Sequence, residues 1–87
     1  MELHEEIEKS FPRVEKFFTA ENLLTFANTP PNDLAEYNWG LGTMIRLKLL
    51  RPKGALYKKF AAAGFTDRDE MTMKVISAFH KYIQHKI

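Results

Sequence analysis

Apolar side chains recur at three- and four-residue spacing from Leu3 to Ile83, and no stretch of useful length alternates apolar with polar residues. A strand returns to the same face every second residue and a helix about every 3.6, so this spacing excludes a sheet as the organising element. The chain is 45% hydrophobic with a net charge of only +2, which excludes disorder, a state that needs low hydrophobicity and high charge. Eighty-seven residues suffice for one core and not for two, so residues 1–87 read as a single helical domain.

Leu3, Ile7, Phe11, Val14, Phe17 and Phe18 set a helical stripe over residues 2–18, which forms a peripheral N-terminal helix if it does not dock on the rest. Pro12 removes a backbone donor, so this segment either kinks or restarts with Ser10 as N-cap. Thr19 caps a short second helix whose apolar face is Leu23, Leu24 and Phe26. The tract Asn28-Thr29-Pro30-Pro31-Asn32 is a boundary, because a residue before proline leaves the helical region and proline suits the first turn of the next helix. Leu34, Tyr37, Asn38, Leu41, Ile45 and Leu49 then predict one helix over 32–50. Gly40 and Gly42 inside it each cost about 1 kcal/mol relative to alanine, which implies a bend or, the reading favoured here, a close crossing by another backbone.

Arg51-Pro52-Lys53-Gly54 is a turn, followed by a helix over about 54–63 and by Gly64 where a left-handed C-cap is wanted. Thr66-Asp67-Arg68-Asp69-Glu70 supplies an N-cap oxygen and first-turn carboxylates for a last helix over 66–85. The expectation is an all-α fold, a compact bundle of four to five short helices with 32–50 and 66–85 as the central pair. Its core is Tyr37, Leu41, Ile45, Phe60, Val75, Ile76 and Phe79.

The run Tyr37-Asn38-Trp39-Gly40-Leu41-Gly42-Thr43-Met44-Ile45-Arg46, the segment Asp69-Glu70-Met71 and the final Phe79-His80-Lys81-Tyr82-Ile83 stand together over roughly the last 60 residues. They resemble a family of small uncharacterised bacterial helical domains with a G-L-G-x-x-I-R helix and a C-terminal aromatic-His-basic run. The resemblance implies a helical fold, and it brings no activity and no substrate.

Cysteine is absent, which excludes disulfides, thiol catalysis and cysteine-ligated metal sites. No apolar run approaches 18 residues, and the opening MELHEEIEKS is acidic where a secretory signal is basic and then apolar, so a cytoplasmic protein away from membranes is expected. His80 and His85 lie five apart, about 140° around a helix, and do not make the i, i+4 pair of a helical metal site. Ser77 and His80 share a face at i, i+3, but no carboxylate stands one turn away to orient the imidazole. Gly40-Leu41-Gly42 has no third glycine and no preceding strand, and the lysine next to Gly54 precedes it, so neither dinucleotide nor phosphate-loop binding is indicated. No catalysis, cofactor, metal or small-molecule substrate is expected.

Charge is partitioned far more strongly than its total suggests. Residues 1–36 hold eight acids and three bases, residues 37–66 hold six bases and no acid, and residues 67–87 hold four bases and three acids. Arg46, Lys48, Arg51, Lys53, Lys58 and Lys59 surround one turn ahead of a helix N-terminus, a layout that favours an anionic partner. A solvated face is the neutral interpretation. The functional one is a small non-catalytic protein-interaction module, meeting a protein partner or a second copy of itself through these cations. The alternative is non-specific nucleic-acid or phosphate binding through residues 46–59. Trp39 lies off the stripe of its helix and reads as core, with an interface aromatic as the second possibility.

Overall fold

The computed structural model describes residues 2–86. Among them are α1 (Glu2–Glu15), α2 (Ala20–Ala27), a 3-10 helix (Pro31–Asn38), α3 (Leu41–Lys48), α4 (Ala55–Ala62) and α5 (Arg68–Lys86), with no strand. Six helical elements therefore replace the expected four to five, because the single helix read over 32–50 is two.

Its stripe survives the break. Leu34 and Tyr37 are three apart, which matches the 3-10 helix, and Leu41, Ile45 and Leu49 are four apart, which matches an α-helix, so both pieces turn the same set inward. Between them Trp39 and Gly40 form a turn, with Gly40 still in the right-handed region at φ −86°, ψ −72°. Gly42 explains the second glycine. A Cβ there would lie 3.1 Å from the Thr72 methyl and 3.1 Å from Asn38 Oδ1, so α3 and α5 approach closely at this point. The crossing is made by side chains and not, as the sequence suggested, by another backbone.

The first helix is docked, with Ile7, Phe11 and Val14 buried in the common core against α4 and α5. It runs unbroken through Pro12. Pro12 and Glu8 both face solvent, where water can reach the Glu8 carbonyl that has lost its donor. Ser10 is consequently no cap: its buried hydroxyl donates to the Ile7 carbonyl at 2.6 Å.

Local signals hold elsewhere. Thr19 Oγ1 accepts from the Asn22 amide at 3.1 Å and starts α2. Gly64, at φ +97°, ends α4 in a left-handed turn, with the Gly64 amide on the Ala61 carbonyl and the Phe65 amide on the Phe60 carbonyl. The Phe65 ring closes that motif edge-on against Phe60, 5.1 Å between centroids.

α5 is the central element, packed on α1, α2, the 3-10 helix and α3. Met71, Val75, Ile76, Phe79 and Ile83 are fully buried along it, and Phe79 sits within 6 Å of the Phe11, Phe18, Phe26 and Tyr82 ring centroids. Tyr37, expected in the core, is half-buried at its margin, edge-on to Phe26. α5 also satisfies the end of α2. His80 Nε2 lies 2.9 Å from the Thr29 carbonyl and Gln84 Nε2 donates to the Ala27 carbonyl at 3.2 Å. A carbonyl can only accept, so the His80 proton is placed on Nε2. No buried side-chain nitrogen or oxygen among the described residues lacks a partner.

Candidate functional site

The break at residues 39–40 decides where the predicted site residues go. An interrupted helix leaves carbonyls without amide partners, and the Asn38 carbonyl is one of them. Arg46 meets it with a fork: Nη2 donates to the Asn38 carbonyl at 3.0 Å and Nη1 to Asn38 Oδ1 at 2.9 Å. The same guanidinium lies 3.6 Å from Asp69 at the start of α5 and is largely buried. Arg46, read from sequence as part of the anion-binding patch, thus serves as a brace joining the 3-10 helix, α3 and α5. Arg68 strengthens this corner by donating to the Arg46 carbonyl at 3.0 Å.

Lys48 and Arg51 go elsewhere. They line a recess of about 160 Å³ at the start of α4, with Lys9 and Arg13 of α1 on the facing wall. Arg13 Nη2 donates to the Lys48 carbonyl at 3.3 Å, and Arg51 Nε to the Leu47 carbonyl at 3.2 Å, so backbone acceptors hold both guanidinium groups in place. Lys53 is exposed on the turn, Lys58 is exposed on α4, and Lys59 is partly buried with an interaction of its own. The structure brings Lys48 and Arg51 together and directs Arg46 to a different corner. Sequence reasoning missed Lys9 and Arg13, although their i, i+4 spacing within an acidic helix was a visible signal.

Trp39 is not in the core. The break places it outside both stripes, and it is 79% exposed. On α3 itself Met44 is 38% and Leu47 58% exposed, so this eight-residue helix is apolar on its outer face as well as on the inner face of Leu41 and Ile45. Gly40 and Met44 also edge a notch of about 310 Å³, open to solvent and floored by Phe17, Phe18, Tyr37 and Leu41. Met44 and Leu47 went unread as site residues, although i, i+3 apolar residues opposite a completed stripe mark a second face.

A longer groove runs between α1 and α5, floored by Ile7, Phe11, Ala78 and Tyr82 and edged by charges of both signs, including Glu8, Lys74 and Lys81. Ser77 is exposed on this groove, whereas His80 is buried against Phe26 and bonded to Thr29. No helix among the described residues is long and apolar enough to cross a membrane.

A family model described as a domain of unknown function (DUF6794) matches residues 5–83, nearly the whole folded unit. No curated protein and no solved structure matches the chain.

Proposed function

The chain belongs to the DUF6794 family of domains of unknown function, and from that premise we propose that it is a small non-catalytic interaction module that docks an acidic amphipathic helix of a protein partner on the outer face of α3. The observation that carries this reading is the exposure of Met44 and Leu47 on α3 and of Trp39 in the turn just before it; among the described residues Leu24 on α2 is the one other large apolar side chain so exposed. Contiguous exposed apolar side chains on a small soluble domain mark a surface used for binding, and tryptophan contributes disproportionately to such interfaces. The notch beside Gly40 and Met44, about 310 Å³ and floored by aromatic and leucine side chains, has room for one apolar anchor from an incoming helix.

Charge selects the occupant. The face belongs to the acid-free segment 37–66, with Lys48 and Arg51 exposed at its C-terminal end. A second copy meeting this face through its own α3 would bring one acid-free cationic surface against another, which argues against a symmetric dimer. A partner helix with carboxylates flanking its apolar stripe meets the same face with opposite charge. Nucleic acid is the weaker occupant: a backbone needs a continuous cationic track, and the use of Arg46 as an internal brace interrupts it.

Trp39 is the chain's one tryptophan, so its emission reports on this face directly. The expected result is a blue shift on titration with an acidic amphipathic probe peptide carrying leucine and phenylalanine at i, i+3, i+4 and i+7. That shift is absent in Leu47→Glu and absent with a basic peptide of the same apolar stripe. Equal response to both peptides, or none to either, contradicts the proposal. Concentration-dependent dimerisation in sedimentation that Leu47→Glu abolishes would transfer the face to self-association and likewise overturn it.

A further inference from the structure

We propose that the recess between α1 and the turn leading into α4 binds a single dianionic phosphate group, either free or carried as a terminal phosphomonoester. This site shares Lys48 and Arg51 with the docking reading of α3, but it faces α1 and is defined by cations and not by apolar surface. Lys9 and Arg13 come from α1, and Lys48 and Arg51 come from the end of α3 and the turn that follows, so residues about 40 positions apart in sequence converge on one concavity. Like charges so placed repel one another.

Two cations outside the recess are neutralised within the fold. Arg46 faces Asp69, and Lys86 faces Glu15 at 3.2 Å. None of Lys9, Arg13, Lys48 and Arg51 has an ion-pair partner among the described residues. Glu6 also lines the recess, one carboxylate against four cations, and it forms no ion pair with any of them. Two of the four are fixed rather than free to swing into solvent, because Arg13 and Arg51 each spend one N–H on a backbone carbonyl. Each guanidinium has five N–H donors, so the remaining ones are available to an oxyanion.

The start of α4 adds to this field without being the basis of it. Gly54 is its N-cap, with no side chain closing the first turn, and the positive end of the helix lies at the recess. A Cβ at Gly54 would lie 3.2 Å from the Arg51 carbonyl, so glycine lets the turn close on itself. The geometry also selects among phosphates. A concavity of about 160 Å³ walled by α1 admits one tetrahedral group. A diester brings only one negative charge to the four cations, whereas a phosphomonoester brings about −1.5 to −2 at pH 7. A terminal dianion is the matching ligand.

The test is a heteronuclear NMR titration of the intact chain at low ionic strength, with inorganic phosphate, phosphoserine and a short DNA duplex as separate arms. The expected result is saturable shifts at the Lys9, Arg51, Gly54 and Ala55 amides with phosphate, and binding at least roughly tenfold weaker in Lys9→Glu. Lys9 is exposed and makes no described hydrogen bond or ion pair, so that variant keeps its fold; an unchanged spectrum away from the recess verifies this. Phosphoserine binding at the same amides assigns the source to phosphomonoesters, and its failure beside phosphate binding assigns it to the free anion. Absence of saturation, equal shifts along Lys74 and Lys81, unchanged affinity in Lys9→Glu, or a duplex binding more tightly than phosphate would each overturn the site.

Discussion

α5 and α3 are both helices with apolar residues to spare, yet they use them differently. The 19 residues of α5 place Met71, Val75, Ile76, Phe79 and Ile83 in full burial, and its outer positions Lys74, Ser77 and Lys81 are polar. The eight residues of α3 bury Leu41 and Ile45 and then repeat the apolar pattern outward with Met44 and Leu47, next to Trp39. Packing accounts for every large apolar residue on the inner side of α5. It accounts for only half of those on α3, and the other half lose their hydrophobic contribution to water as long as the chain is alone. That difference separates residues that make the fold from residues that the fold displays.

The comparison breaks most visibly at Phe79, the centre of the aromatic cluster. Phe79→Ala is expected to lower the unfolding free energy by about 3–5 kcal/mol in urea titration, enough to unfold a domain of this size. His80→Leu comes next. It leaves the half-buried Thr29 carbonyl without its donor, at a cost toward the low end of the about 1–3 kcal/mol of an orphaned buried acceptor, measurable in the same titration. The two glycines of α3 sharpen the contrast at a finer scale. Gly42→Ala forces a methyl against Thr72 and Asn38, both held by hydrogen bonds of their own, and is expected to cost about 1 kcal/mol or more. Gly40→Ala meets no atom within 4 Å and is expected to raise stability by about 0.4–1 kcal/mol by restricting the unfolded chain.

The smallest effect lies at the exposed end of α5. The hydrogen bond and charge of Glu15 hold the Lys86 ammonium above its ordinary pKa. A raised lysine pKa contributes stability that is fully present below the unfolded-state value and is lost as pH rises through the folded one. Lys86→Met should therefore leave the thermal midpoint almost unchanged relative to wild type at strongly alkaline pH and lower it slightly at neutral pH. The opposite order would contradict the assignment.

What the sequence made legible was local or periodic. Thr19 and Gly64 were readable because a cap is decided within four residues, and the inward stripe from Leu34 to Leu49 was readable because its spacing survived the change from 3-10 to α geometry. Trp39 was misread because its placement follows from the break at Gly40, and a glycine in a helical pattern does not say whether the helix bends or is crossed. The place of Arg46 was not legible for a related reason. Its partner is a carbonyl freed by that same break, which no pattern of charges announces. Lys9 and Arg13 joined Lys48 and Arg51 only through the docking of α1 on α4, a tertiary contact between segments far apart in the chain.

The claim on which the rest depends is that the outer face of α3 contributes nothing to folding. The most direct measurement is the urea unfolding free energy of a Trp39→Ser, Leu47→Ser double variant, followed by circular dichroism because the tryptophan is gone. The account predicts a value within about 0.5 kcal/mol of wild type, as for substitutions at a solvated surface. A loss of several kcal/mol would mean that these side chains belong to the packing of the chain itself, and the docking face would have to be given up.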